Sequence, residues 1–468
     1  MKQFPDDWRG FARAARLGAL VLMVWATVAA SAWTPAAHAE GTRELLLSNT
    51  GKRALTEFRD SKTTTLYRRT WLRVYAKAGE IISMGSSGVG VGSGDIWLWN
   101  PNLISDSQMA TASIPTPSLK CSTAQPTKGK LTTRAQEQAG PLPTSGGYDP
   151  CTYTAPEAGV YWVAMIGPAG ILGNGDGSAG TIAAPVTDST QSAGVSMWDI
   201  TVRAAGVTKT GRVFVDYLAM LAGGNGSTFQ QFSTLYATSA DGFKYRLDLR
   251  GLDPNGYLLY GNSVGFLDPD GKTPLYHDLV ATDNSLGTIL GGVRQSPATA
   301  KLFFSLPNAD LPTTIVPAPQ IPTINNVTFS GSAGGSAASY AVGGQFTYTG
   351  NVGGISEVVI SRDGVNFDPT NAANRVLRSV TAFGVNVINW DGKDNSGAPF
   401  SVGGPYQFKT SMHAGEYHFP LLDAENSVNG GPTLTLLNPI GGTCPYPCLL
   451  YTSPSPRDRT RSRMPSSA

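Results

Sequence analysis

The chain has 468 residues, of which 41% are apolar and only 15% charged, with 55 glycines, 32 prolines and a formal net charge of +2. Soluble domains average about 25% charged residues, and the length allows about three domains at ~150 residues each. This balance excludes a coiled coil, a polybasic nucleic-acid binder and a multi-span membrane protein. The apolar fraction argues against disorder, and the turn-rich composition favours secreted β-rich modules.

Residues 1–39 read as an export signal. Lys2, Arg9, Arg13 and Arg16 form a positive start, Leu17 to Trp33 is an uncharged apolar run, and Ala37-His38-Ala39 supplies an A-x-A cleavage site. The mature chain is then expected to begin near Glu40. No second apolar run is long enough to span a bilayer, so no transmembrane span is expected after signal removal.

Residues 40–205 alternate between strand signals and turn clusters. Leu72, Val74 and Ala76 fall on one face of a strand, with Arg73, Tyr75 and Lys77 on the other. Ile81-Ile82, Ile96 to Trp99, Val160 to Ile166 and Met197 to Val202 are further short strands between glycine-rich stretches. This is a β-sandwich pattern. Cys121 and Cys151 flank a Thr-, Ser-, Pro- and Gly-rich segment with little apolar content, and in an exported chain they are the natural disulfide pair.

Residues 206–316 read as a second β module. Arg212 to Met220 is an apolar strand, and Phe243, Tyr245, Leu247 and Leu249 alternate with Lys244, Arg246, Asp248 and Arg250. Leu302-Phe303-Phe304 closes this module, and residues 317–322 form a proline-rich linker. Residues 323–447 form a third β unit. In it, Val385 to Asn389 leads into Trp390-Asp391-Gly392, then through Gly397 and Gly404 to Tyr406.

Two resemblances attach to these segments. The order Asp95 to Pro101, Ala155 to Trp162 and Trp198 to Val202 loosely resembles the jelly-roll modules appended to bacterial secreted proteins, including the pre-peptidase C-terminal type. Trp390, Gly392, Gly397, Gly404 and Tyr406 resemble, in type and order, the immunoglobulin-like module of flagellar hook-capping proteins. That second resemblance implies structural roles for the five residues and no catalysis. From the residues themselves, Trp390 follows the strand Val385 to Asn389 and stands just before the turn at Asp391-Gly392, so it is expected to be buried, with Tyr406 and Phe408, which share a face of the next strand, as neighbours. Together the segments resemble the N-terminal part of long secreted bacterial surface proteins built of serial β modules.

The last 21 residues are of another kind. Cys448 to Asp458 resembles a translated sequencing adapter, and Ser462 to Ala468 the flow-cell primer that follows one, so residues 448–468 are read as an artefactual tail expected to make no packed contacts. Setting aside this tail and residues 1–39 leaves more Asp and Glu than Lys and Arg. The formal charge then turns slightly negative, and no nucleic-acid partner is expected.

The candidates for chemistry are few. Gly261-Asn262-Ser263-Val264-Gly265 fits G-x-S-x-G, but the Asp268-Pro269-Asp270-Gly271 that follows cannot start the helix a hydrolase elbow needs, so a turn is expected. Residues 85–94 are glycine-rich but lack the Lys-Ser/Thr of a phosphate loop. His413, Glu416 and His418 could ligate zinc, and Asp391, Asp394 and Asn395 could ligate calcium, as could Asp268 and Asp270; polar turns account for each of these sets. Trp97 and Trp99 share a strand face and are either a sugar-stacking pair or core; with Ile96 and Leu98 on the other face, core is the favoured reading. The expectation is thus an all-β chain of serial sandwich modules. It would be an exported, non-enzymatic surface, adhesive or matrix protein without a required cofactor, contacting cell-surface or matrix components, glycans among them. The rival is an accessory or carbohydrate-binding region of a secreted hydrolase.

Overall fold

The computed structural model describes residues 40–46, 51–63, 66–105, 111–173, 182, 191–222, 230–252, 257–262, 266–267, 294–295, 298–413, 427–429, 431–439 and 449–451. The protein is all-β. Antiparallel sheets carry nearly all its regular structure, and the α-helical segments among the described residues are the short turns Cys121–Ala124 and Arg134–Ala139.

Three sheets share the main core. A ten-stranded sheet has at its centre the strands Lys301–Phe303, Val213–Val215, Leu72–Ala76, Gly159–Ile166 and Asp95–Trp99, in that order. A five-stranded sheet orders Glu40–Gly41, Trp198–Ala204, Ile81–Ser86 and Cys151–Thr154, with Val207–Lys209 beside Trp198–Ala204. A second five-stranded sheet is built on Leu55–Thr63 and Leu218–Leu221. One apolar cluster joins residues of all three, including Leu72, Ile82, Ile96, Trp198, Leu235 and Leu302.

The expected boundary between residues 40–205 and 206–316 therefore does not separate two cores. Val213 pairs with Val74 and Met220 with Thr56, so the later segment completes sheets that the earlier one begins. Arg212 to Met220 is also two strands rather than one, because the chain changes sheets at Asp216 and Tyr217. The face of Leu72–Ala76 that carries Arg73 and Tyr75 is covered as well. Arg73 lies buried 4.1 Å over the Trp162 ring and pairs with Asp216 at 2.5 Å, while Tyr75 packs with Phe214 and Phe303. Stacking on an aromatic face lets a guanidinium be buried without being stranded.

The third unit is built of two sheets. Ile324–Gly331, Gly344–Gly350 and Gly384–Trp390 form one three-stranded sheet, and Arg375–Thr381, Gly354–Ser361 and Gln407–His413 form another. Phe346, Tyr348, Val358, Ile360, Leu377, Ile388, Trp390 and Phe400 form a core of their own. Its expected end at 447 is too late. Thr433–Leu436 leaves the unit and pairs with Lys244–Asp248 of the ten-stranded sheet, where Leu434 enters the main core. The outgoing chain passes the same place: Gln320 N donates to Asp241 O at 3.3 Å, and Asn438 Nδ2 donates to Gly242 O at 3.0 Å. The third unit is thus an insertion at one edge of the larger β body.

Leu449–Tyr451 pairs antiparallel with Thr433–Leu436, so the expectation of a tail without regular contacts is not met in the backbone. An edge strand offers a row of free N–H and C=O groups that accepts an extended segment whatever its side chains.

Candidate functional site

A buried polar cluster lies beneath the segment that Cys121 and Cys151 close. The two cysteines are disulfide-bonded, with Cα atoms 6.1 Å apart and both side chains in the main core. Between them the chain folds over one face of the sheet that carries Ile81–Ser86 and Trp198–Ala204. Ser86 N donates to Gly129 O at 2.8 Å and Leu131 N to Ser86 O at 3.2 Å. Leu131 and Tyr148 pack with Met197. The helix Arg134–Ala139 starts at a capping box in which Gln136 N donates to Thr133 Oγ1 at 3.2 Å, a T-x-x-Q signal the sequence reading passed over.

Under this cover Trp198-Asp199-Ile200-Thr201-Val202 divides in two. Trp198, Ile200 and Val202 enter the main core, while Asp199 and Thr201 face the cover. Asp199 pairs with Gly41 on one side and Gly85 on the other. A side chain at Gly85 would strike the Tyr148 ring 2.4 Å from its Cβ, so the glycine makes room for the tyrosine. Asp199 Oδ1 accepts from Thr201 Oγ1 at 2.9 Å, and among the described residues its Oδ2 is buried without a well-aligned hydrogen bond, the Tyr148 hydroxyl lying near the carboxyl. Burial pushes the Asp199 carboxyl up to about 8, against the opposing pull of Thr201 and Tyr148.

The sign of the resulting pH dependence follows. The folded state holds this proton up to about pH 8, while the unfolded chain releases it near 3.8. The stabilisation is complete below the lower value and is lost as pH rises through the upper one, at about 1.4 kcal/mol per pH unit. Asp199→Asn is expected to flatten that part of the profile and to be the more stable form at pH 8, as read by urea unfolding at pH 5 and pH 8. Equal slopes in the two proteins would contradict a buried neutral acid at this position.

Glu137, from the helix in the cover, reaches Arg53. The guanidinium donates to both carboxylate oxygens, at 3.0 and 2.8 Å, and Arg134 donates from the side at 2.7 Å. Thr42 Oγ1 donates to the same carboxylate. Burial would raise this carboxyl, but Arg53, Thr42 and Arg134 outweigh it and hold Glu137 below the ordinary carboxylate range. A second buried acid, Glu40, lies on the same sheet. Its Oε2 accepts from Arg212 N at 2.8 Å and Val213 N at 3.2 Å, and burial pushes it up to about 8.

The cluster is closed and its charges are committed to one another, so it fastens the cover rather than presenting a reacting group. Sequence reasoning missed it because the cover reads as a polar loop.

The residues singled out from sequence fall elsewhere. Trp99 is fully buried against Trp71, and its Nε1 donates to Pro115 O at 2.8 Å. Trp97 is half-buried, with Lys120 4.4 Å over its ring. The pair is therefore no two-ring sugar platform, because both faces of this strand are covered. Asp394 Oδ1 accepts from Ser396 N at 2.9 Å and Ala398 N at 2.9 Å, while its Oδ2 pairs with Arg362 at 2.9 Å. Asp391 pairs with Arg375 at 3.3 Å, and Asn395 Nδ2 donates to Pro369 O at 3.0 Å and Asn371 O at 2.9 Å. Each of the two carboxylates named for calcium is thus paired with an arginine. Among the described residues no group of three His, Cys, Asp or Glu is placed to hold a metal. His413 ends a strand opposite Ile355, whereas Glu416 and His418 lie outside the described residues, as do Ser263, Asp268, Asp270 and His277. Residues 85–94 form a tight turn in which Gly88 O lies where a Gly94 side chain would stand.

Gly392, Gly397 and Gly404 all have positive φ, at 75°, 85° and 143°. Trp390 is buried on Phe400 at 5.1 Å, and Tyr406 packs on the far side of that ring at 4.9 Å. Phe408 instead packs on Phe346, so the neighbours expected for Trp390 are corrected to Phe400 and Phe329. A shallow open groove borders Trp390, walled by Ser330, Ser332, Val342, Gln345 and Asn389. Its hydroxyl and amide lining carries no charge.

No protein-family model, no curated protein and no solved structure matches the chain.

Proposed function

We propose that the chain is an exported, non-enzymatic protein of the cell surface or extracellular matrix, acting through the display of rigid β units to structural or adhesive partners. The observation that carries this reading is the buried Cys121–Cys151 disulfide, since such bonds persist in oxidising compartments. The described polar constellations also support it, because they are spent on internal fastening. No described helix is long and apolar enough to cross a membrane. The surface offered to a partner lies on the inserted unit, where Phe383, Val385 and Val402 each stand well exposed.

Expression of the full chain from Met1 in a bacterium, followed by fractionation and thiol labelling, tests the reading. The expected product lies outside the cytoplasm with no labelled thiol at positions 121 and 151, and it binds cells or matrix preparations. Cytoplasmic protein with both thiols reactive would reject the proposal.

A further inference from the structure

Glu40 is a carboxylate on the wrong face of a strand. It pairs with Ile200, whose side chain is in the main core, and cross-strand partners share a face. It is 1% exposed. The backbone donors of Arg212 and Val213 satisfy Oε2 and the Gly211 backbone also acts on the carboxylate, but Oε1 is buried without a well-aligned hydrogen bond among the described residues. No described side chain supplies it with a cation. The Arg212 guanidinium is turned to Tyr75 O at 3.1 Å, to Glu80 at 3.2 Å and to Asp310. The charged side chain that acts on Glu40 is Glu44, of the same sign. A buried carboxylate without a counter-ion is costly, so a fold either keeps the acid protonated, as at Asp199, or supplies a cation.

The sequence supplies one at the same residue. Glu40 directly follows Ala37-His38-Ala39, and hydrolysis of the Ala39–Glu40 bond would leave an α-ammonium on Glu40 itself. The α-nitrogen is one bond from the Cα that carries this side chain, so the charge it gains sits on the same residue as the carboxylate. We propose that the chain is processed between Ala39 and Glu40 and that the α-ammonium so created is the counter-ion of the buried Glu40 carboxylate. Water supplies hydroxyl to the Ala39 carbonyl carbon and a proton to the Glu40 nitrogen, which takes a further proton from solvent. The catalyst is a leader peptidase. Processing comes before docking of the strand: a Cβ at Gly41 would lie 2.1 Å from Trp198 O, so the folded segment is too closely covered to enter a protease. Leader removal thereby completes the core as well as releasing the chain. This inference rests on the export reading.

Two measurements separate the inference from that reading. In the first, the full chain is expressed from Met1 and the exported product is read by intact mass and N-terminal sequencing. Glu40 is the expected first residue. Export with another first residue overturns the inference alone, and retention in the cytoplasm with the leader intact overturns the export reading. In the second, the leaderless chain is made to begin at Glu40, or with Gly-Ser ahead of it, each also as Glu40→Gln. The extension is expected to lower the thermal midpoint by several degrees in the Glu40 chain and to have little effect in the Glu40→Gln chain. Equal effects in both backgrounds, or no effect in either, overturn the inference. An extended chain that fails to fold supports it only where the extended Glu40→Gln chain folds; failure of both assigns the effect to crowding and overturns it.

Discussion

Glu137→Ala is expected to destabilise the protein by about 3–5 kcal/mol, the loss that follows when one partner of a buried ion pair is removed. The Arg53 guanidinium would remain, 1% exposed and with its carboxylate gone. Its other acceptors, Ile182 O at 3.0 Å and Ser196 O at 3.4 Å, are neutral carbonyls that do not replace a charge. The same substitution releases Thr42 and Arg134 and frees the helix Arg134–Ala139 from the sheet. The damage should be local as well as large: trypsin is expected to cut near Arg134 in Glu137→Ala before the rest of the chain opens. The double variant Arg53→Met/Glu137→Leu is expected to recover most of the loss, because an apolar pair of similar volume leaves neither charge of the pair buried alone. The remaining Arg134 is 10% exposed and can turn outward. Urea unfolding of the three proteins at pH 7 checks this. A single variant within about 0.5 kcal/mol of the parent would mean that the pair does not hold the cover.

How far the sequence discloses this arrangement depends on whether the signal is local. Phe243, Tyr245, Leu247 and Leu249 alternate with polar neighbours, and the structure buries those four while Arg246 stays exposed, because period two is a property of the strand itself. The Cys121–Cys151 pairing was legible because few cysteines were available to pair. The outer face of Trp198–Ala204 was not, since Asp199 and Thr201 look like solvent-facing positions until a distant segment covers them. That cover could not be recognised from its composition, because it is fastened by Glu137 to Arg53 across 84 residues of chain and not by an apolar stripe. The return of Thr433–Leu436 to the main body was hidden for a similar reason. Its alternating Thr and Leu announce a strand but do not say which sheet it joins.

Trp390→Ala is expected to unfold the inserted unit while the disulfide-bearing body stays folded. The indole is 6% exposed, edge-on to Phe400 at 5.1 Å and beside Phe329 at 6.3 Å, and its Nε1 donates to Lys393 O at 2.9 Å. Across the ladder stands Gly344, where a Cβ would lie 2.5 Å from the Phe329 ring, so the glycine admits Phe329 to the tryptophan. Arg362 lies 4.5 Å over the Phe400 ring and Tyr406 closes its other edge. Removing the indole empties the middle of that stack, and no neighbour can fill it without abandoning its own partner. Large-to-small changes of this kind cost about 3–5 kcal/mol, against about 5–15 kcal/mol for a whole domain near 100 residues. The two units have separate cores, so the loss should appear as an early, separate transition in a thermal scan and as proteolysis between residues 323 and 413. If Trp390 served instead to bind a partner in the neighbouring groove, Trp390→Ala would leave both readings at parent values and weaken binding alone. A parent-like scan would thus return this tryptophan to the list of contact residues, while an early transition assigns it to the core and leaves the exposed Phe383, Val385 and Val402 as the surface to test by substitution.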